Sequence, residues 1–233
     1  MAVLSVQNLC KTYPSFALKN VSFEIEKGSI MGFIGRNGAG KTTTLKSLLN
    51  LVHPDGGQID FFGLPLAGNE SEIKQRVGYV VSSDGYYKRK KISQITRVTK
   101  SFYSNWDDEA WQHYMSVFKL DEKKCPGQLS EGMKVKYSIS LALSHKADLL
   151  ILDEPTSGLD PISRAELLDI FTQLRDKGIS ILFSSHITTD LDKCADSITY
   201  IKNGSILYTG KTSGIGMPLD DFMLKNEKEE IHV

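Results

Sequence analysis

The sequence has little that would tie it to an oxidising compartment, a bilayer or a polyanion. Its three cysteines, Cys10, Cys125 and Cys194, stand far apart, with no C-x-x-C pair and no histidine at ligand spacing. That is the pattern of reduced cytosolic thiols rather than of a disulfide framework or a zinc site. No apolar run approaches the ~20 residues needed to span a bilayer. The first residues, Met1-Ala2-Val3-Leu4-Ser5-Val6-Gln7, lack the charged start and long apolar stretch of a signal peptide. Basic and acidic residues balance at 28 each, so no charge excess points to nucleic acid or to a membrane surface. Internal repeats and low-complexity tracts are absent too. What remains is a chain of 233 residues, long enough for a sizeable core in one α/β domain with an inserted subdomain.

What is there centres on Gly35-Arg36-Asn37-Gly38-Ala39-Gly40-Lys41-Thr42. The apolar run Ile30-Met31-Gly32-Phe33-Ile34 leads in, and Thr43-Thr44-Leu45-Lys46-Ser47-Leu48-Leu49 leads out with helical character. In that strand–loop–helix setting the pattern G-x-x-x-x-G-K-[ST] has a mechanism. Glycines let successive backbone N–H groups turn inward onto an anion, and the helix adds its unpaired N-terminal donors. Lys41 is placed to pair β- and γ-phosphates, Thr42 to hold Mg²⁺, and Thr43 to add a hydroxyl contact to phosphate. The second signal is Leu149-Leu150-Ile151-Leu152-Asp153-Glu154. Four apolar residues make a strand buried on both faces, so its carboxylates fall at the C-terminal end, where open α/β sheets place ligands. Asp153 is expected to reach Mg²⁺, directly or through water, and Glu154 to act as general base or orienter of a water.

Around these signals, strands are expected at Val3–Val6, Val21–Ile25, the run ending at Ile34, Gln58–Phe62 and Arg76–Val81, with turns at Tyr13-Pro14, Lys27-Gly28 and Pro54-Asp55-Gly56-Gly57. The character changes near residue 84. Ile92, Ile95 and Phe102 form one helical stripe, and Trp111, Tyr114, Met115 and Phe118 another, capped from Asn105 or Asp107. A third helix is expected from Ser130 to about His145. Residues 85–146 therefore read as a helical insertion, with 1–84 and 147–233 forming the α/β part. There the expected elements are Asp148–Leu152 (strand), Ser163–Lys177 (helix), Ile179–Ser184 (strand), Thr188–Ala195 (helix) and a hairpin across Asn203-Gly204. The tail carries an apolar Leu219-Phe222-Met223-Leu224 patch, followed by Asn226-Glu227-Lys228-Glu229-Glu230, which is expected to fray.

Taken together these residues resemble the nucleotide-binding subunit of ATP-binding cassette (ABC) transporters over nearly the whole chain. The P-loop form, Leu129-Ser130-Glu131-Gly132-Met133 beside the family's LSGGQ signature, and Asp153-Glu154-Pro155-Thr156-Ser157-Gly158-Leu159-Asp160 beside its Walker B and D-loop all stand in the family's order. Ser184-Ser185-His186 matches the switch histidine, and Lys11-Thr12-Tyr13 the aromatic A-loop. The resemblance implies a P-loop NTPase (RecA-like) α/β core with an antiparallel β subdomain and an inserted α-helical subdomain. It implies a Tyr13 stack on adenine, contacts to the nucleotide from Asn37, Gly38 and Gly40, and His186 on the γ-phosphate. It also implies head-to-tail dimers in which Ser130 and Gly132 close on the partner's γ-phosphate and Asp160 sits at the interface. Read locally, Ser130 and Asp160 are also plain helix N-caps.

Two departures stand out. Glu131 replaces the first glycine of the signature and Met133 its glutamine; a carboxylate beside triphosphate is unfavourable, so Glu131 is expected to face solvent or the transmembrane partner. Ser82 stands where the family's Q-loop glutamine reaches Mg²⁺, and its shorter hydroxyl would do so only through another water. The expected protein is an ATPase subunit in the cytoplasm, at the inner face of the cell membrane. It would work as a dimer with itself or a paralogous cassette, use ATP and Mg²⁺, and meet the membrane only through separate transmembrane permease subunits. Phe102-Tyr103-Ser104-Asn105-Trp106-Asp107, the single-glycine signature and the Ser82 region resemble exporters of antimicrobial or cytolytic peptides, such as phenol-soluble modulins. The basic, aromatic Tyr86-Tyr87-Lys88-Arg89-Lys90-Lys91 run joins the insertion as a candidate contact surface. A soluble ABC ATPase acting on nucleic acid or ribosomes is the alternative, against which stand the neutral charge and the single cassette. A P-loop kinase would leave the signature and His186 unexplained.

Overall fold

The computed structural model describes residues 1–81 and 87–228. The chain opens with β1 (Ala2–Tyr13), β2 (Phe16–Glu26), β3 (Ile30–Ile34), α1 (Lys41–Leu48), β4 (Gly56–Phe61), β5 (Leu64–Pro65), α2 (Leu66–Arg76) and β6 (Val77–Val81). A helical stretch follows, with α3 (Ile92–Lys100), α4 (Asp108–Val117) and α5 (Glu131–Ser144). The rest alternates: β7 (Leu149–Asp153), α6 (Pro161–Asp176), β8 (Ser180–Ser185), α7 (Thr188–Cys194), β9 (Ser197–Lys202), β10 (Ser205–Lys211) and α8 (Leu219–Lys228).

The strands form two sheets. One is antiparallel, in the order β2-β1-β4-β5; the other has the order β10-β9-β3-β8-β7-β6, parallel except for β10. Period-two alternation sorts the central strands of the second sheet. Met31, Phe33, Leu149, Ile151 and Leu182 enter the core shared with the antiparallel sheet. Ile30, Ile34, Leu150, Leu152, Ile181 and Phe183 enter a core on the opposite face, against α5 and α6. Two positions in these strands have no room for a side chain. A Cβ on Gly32 would sit 2.3 Å from Leu191 of α7, and one on Gly78 would sit 2.4 Å from Ala142 of α5.

Between β6 and β7, helices α3, α4 and α5 share a cluster of Ile92, Trp111, Met115, Leu129, Tyr137 and Leu141. Asp107 caps α4 by accepting from Glu109 and Ala110 N–H, as the local sequence implies. Phe102, assigned to the stripe of α3, lies beyond the helix end and is 70% exposed. Past Lys100 the backbone bonds tighten to a three-residue spacing, Ser101 N–H to the Val98 carbonyl and Phe102 N–H to the Thr99 carbonyl, so the α-helical period is lost before Phe102 reaches the packed face. The described part of the tail does not fray. From Leu219 the chain is helical to Lys228; Leu219 is buried, Phe222 packs on Tyr200 and Tyr208, and Tyr200 donates to Glu227 at 2.7 Å. An apolar face packed on β9 and β10 supplies what the charged sequence of that segment does not. Helix α2 and the short β5 also have no counterpart in the sequence pattern; α2 is interrupted at Ala67–Asn69, where Gly68 takes φ +85°.

Candidate active site

The site grows from the C-terminal ends of β3, β7 and β8. β3 is buried throughout and stops at Ile34, and α1 starts at Lys41, so residues 35–40 must reverse in a small space. Gly35 allows it by close approach, because a Cβ there would lie 2.4 Å from the Ile201 carbonyl oxygen. Gly38 allows it by conformation, with φ +81° and open space around it. Arg36, Asn37 and Gly38 are exposed, as is Thr42 at the start of α1, while Thr43 is half-buried. Lys41 is only 5% exposed. Its Nζ donates to the carbonyls of Gly35 at 2.8 Å and Arg36 at 3.3 Å.

The second half comes from β7 and β8. Register sets Asp153 beside Ser184 on one side, and Ser184 beside Phe33 of β3 on the other. Glu154, just past β7, takes φ +51°, unusual for a residue with a Cβ. Its Oε1 lies 3.2 Å from Lys41 Nζ, near enough for charge attraction but too oblique for a hydrogen bond, so this buried oxygen has no hydrogen-bond partner. Its Oε2 is 2.8 Å from His186 Nδ1. Lys41, Glu154 and His186, expected from separate motifs, thus meet in one chain. Asp153 is joined to them through β8 rather than directly: its Oδ1 accepts from Ser184 Oγ at 2.6 Å. Asp153 also raises the pKa of Tyr79 on β6, an effect second to that of burial.

Tyr13 ends β1, 39% exposed, with Lys11 Nζ 5.8 Å from the ring centroid. Lys11 in turn pairs with Asp55 at 2.8 Å, and Asp55 accepts from Thr12 N–H at 2.7 Å, which fixes the strand end. The hairpin that carries Tyr13 reaches the phosphate loop through Phe16 and Leu18, which pack over Gly40.

The signature and D-loop residues lie together, apart from this cluster. Ser130 caps α5, accepting from Met133 N–H at 3.3 Å. Gly132 is buried against Leu159 and Ser163. Asp160 caps α6, accepting from the Ile162 and Ser163 N–H groups, each at 3.0 Å, and from the Ser163 hydroxyl at 2.6 Å. The Ser163 bond, above all, lowers the Asp160 pKa. Glu131 is ion-paired with Lys134. Among the described residues neither Ser130 nor Gly132 hydrogen-bonds to the phosphate loop. Ser82 lies outside the described residues.

Two participants escape motif reading. Ser184 belongs to the matched Ser-Ser-His run, yet the pattern gives it no role; strand pairing, which a linear pattern does not carry, brings it to Asp153. Gly204 reads only as a hairpin turn. In the fold its N–H donates to the Ala39 carbonyl at 3.0 Å and its carbonyl accepts from Lys19 N–H at 2.8 Å, tying the β9–β10 turn to the phosphate loop and to β2.

A glycine loop between strand and helix, a buried lysine, and carboxylates with a histidine at the ends of β7 and β8 define a P-loop nucleoside-triphosphatase. The family model described as ABC transporter matches residues 18–157. The bacitracin transport ATP-binding protein BcrA of Bacillus licheniformis is 34% identical over 97% of this chain and 73% of its own. The ABC-type transporter ATP-binding protein EcsA of Bacillus subtilis is 31% identical over 99% of this chain and 98% of its own. A solved ATP-binding subunit of an ABC transporter superposes with TM-score 0.86 at 27% identity, covering 96% of this chain and 98% of that one. The chain belongs to the ABC transporter family, as its ATP-binding and ATP-hydrolysing subunit.

Proposed function

We propose that this subunit hydrolyses Mg-ATP as a head-to-tail dimer, with a second copy or a paralogous cassette, and drives export of peptides through separate transmembrane subunits. The observation that carries the hydrolytic part is the Lys41–Glu154–His186 cluster. Glu154 is the general base: its carboxylate is held between Lys41 at Oε1 and His186 at Oε2, with Oε1 left without a hydrogen bond that would compete for a proton. Lys41 supplies the fixed cation for the β- and γ-phosphates, with Asn37, Gly38, Gly40 and Thr43 as further phosphate contacts. His186, half-exposed beside Glu154, is also in reach of the γ-phosphate side. Tyr13 offers its exposed ring to adenine.

The donor set suits Mg²⁺. Thr42 presents an exposed hydroxyl, and Asp153 a carboxylate with only one oxygen engaged by Ser184. Among the described residues no group of three or more His, Cys, Asp or Glu side chains could hold a metal by itself. Mg²⁺ needs no such cage, since it takes one or two protein oxygens plus phosphates and waters. When bound it neutralises charge on the transferring phosphoryl group. Ser82 remains assigned to the same ion through water.

For the dimer, the support is that Ser130, Gly132 and Asp160 cluster at two helix starts and, among the described residues, make no hydrogen bond to their own phosphate loop. A capped helix start with a free hydroxyl proton is an anion site, and the partner's γ-phosphate is the anion the family resemblance supplies. For the permease, no helix among the described residues is long and apolar enough to cross a membrane. The inserted unit 85–146 exposes Tyr87, Val98 and Phe102. We assign that face, with the basic segment beside it, to transmembrane partners at the cytoplasmic side of the membrane. Peptide cargo rests on the bacitracin transport relatives of B. licheniformis and Enterococcus faecalis, 34% and 31% identical. Nothing in the comparisons favours nucleic acid.

Glu154→Gln tests the cycle. The amide keeps size but cannot take a proton, so hydrolysis should fall ~10²–10⁴-fold. Nucleotide binding should survive, and size-exclusion chromatography in Mg-ATP should show a dimer for the variant and mainly monomer for wild type. Wild-type turnover would remove Glu154 from the mechanism; an inactive variant that never dimerises, even with its membrane partner, would count against the cycle.

A further inference from the structure

We infer that Ser184 is a positioning residue for hydrolysis, one hydroxyl that fixes both the Asp153 carboxylate and the backbone of Glu154. The inference rests on the reading of Asp153 and Glu154 given above. The Ser184 Oγ accepts from the Glu154 N–H at 3.0 Å and donates to Asp153 Oδ1 at 2.6 Å. A hydroxyl has one proton and two lone pairs, so these roles are not interchangeable. The N–H can only donate, which leaves the Ser184 proton for Asp153 and makes the run directional, from Glu154 N–H through Oγ to the Asp153 carboxyl oxygen.

Three further observations fit a positioning role. Ser184 is fully buried, so water does not compete for either bond. It is the register partner of Asp153 across β7 and β8, and its other register neighbours are apolar: Phe33 on β3 faces it, and Leu152 and Phe183 pair one step back. The residue it holds, Glu154, sits in the left-handed region at φ +51°, a conformation that persists only where surroundings impose it. That turn swings the Glu154 side chain off the strand line to meet Lys41 and His186. At the same time the short bond to Oδ1 leaves Oδ2 of Asp153 as the oxygen free for a metal. Apolar neighbours in the strand would specify neither.

The test compares Ser184→Ala and Ser184→Cys in the full chain, with Glu154→Gln alongside. Alanine removes both bonds, and cysteine fills the volume with a much weaker partner. Partners that orient metal-binding carboxylates are worth about 10–100-fold, so kcat should drop by that factor in both variants, with a higher Mg²⁺ concentration at half-maximal turnover. Affinity for a fluorescent ATP analogue in EDTA should stay within twofold of wild type, a readout that general destabilisation would not spare. Either variant turning over within twofold of wild type at an unchanged Mg²⁺ midpoint, while Glu154→Gln is inactive, would overturn the inference. So would a loss of EDTA nucleotide affinity matching the loss of kcat, because Ser184 would then only support the fold. Glu154→Gln at wild-type turnover would instead sink the reading beneath it.

Discussion

Replacing Gly204 with alanine should damage the phosphate loop from outside it. Gly204 sits at φ +78°, and a Cβ there would lie 1.8 Å from the Ala17 carbonyl oxygen and 2.9 Å from its carbon. Both are backbone atoms of β2, so no side-chain rotation relieves the clash. The left-handed conformation costs an alanine about 1 kcal/mol. Forcing strand and turn apart adds about 1–3 kcal/mol, as overpacking does. The separation also weakens at least one of the two bonds at Gly204, to Ala39 and from Lys19, at about 1 kcal/mol. The total is about 3–5 kcal/mol, a large part of the ~5–15 kcal/mol that holds a domain together. For a chain of this size that is a fall in melting temperature of about 6–20 °C. Gly178→Ala is the control, because Gly178 shares the left-handed conformation at φ +88° with nothing within 4 Å. It isolates the conformational cost, so it should shift melting only slightly. Scanning calorimetry on both variants, with ATP affinity by titration calorimetry below the transition, decides the matter. Gly204→Ala should also bind ATP more weakly, since the Ala39 carbonyl loses its partner. If it melts with Gly178→Ala and binds ATP like wild type, the argument from close approach is wrong.

Lys41→Ala should lower ATP affinity and abolish turnover; unchanged rates at saturating Mg-ATP would refute the assignment of the buried lysine. Ser130→Arg should leave nucleotide binding by the monomer nearly intact and block ATP-driven dimers of Glu154→Gln, as read by light scattering; normal dimers would exclude the head-to-tail arrangement. His145 is buried, stacks on Tyr103 with centroids 3.8 Å apart, and burial lowers its pKa. The unfolded chain therefore takes up a proton that the folded one resists, and stability falls as pH drops below the ordinary histidine value of about 6.5. His145→Phe keeps a ring there and should show a smaller loss of stability between pH 7 and 5 in urea titrations; an identical pH slope would contradict this.

Much of this site is legible in the sequence because its chemistry is local. The glycine loop needs neighbours in the chain, Asp153 and Glu154 end an apolar run, and Ser130 and Asp160 cap helices that begin beside them. What pattern reading missed is non-local. Ser184 acquires its partner from strand register, and Gly204 acquires its close approach from a second sheet. Helix α8 escaped for a similar reason, since its sequence is charged and its order comes from Leu219 and Phe222 packing on distant strands. Residues 64–76 show neither a clean helical nor a clean strand period, and the interruption at Gly68 explains why. Phe102 failed in the other direction: its spacing suits the stripe of α3, but the helix ends before it arrives.

The two glycines that admit no side chain in the parallel sheet answer a question of alignment. Strands apolar on both faces carry almost no information about how far one should slide along another, because a slip by one residue exchanges oil for oil. Gly32 under Leu191 and Gly78 under Ala142 work as notches into which a helix seats, and only one sliding position brings notch and tooth together. The placement of β3, and of the phosphate loop that leaves its end, is therefore indexed partly by a helix packed on one face of the sheet. Filling a notch would displace the reacting groups relative to one another with every one of them still in place, a route by which a change remote from the nucleotide reaches the rate of its hydrolysis.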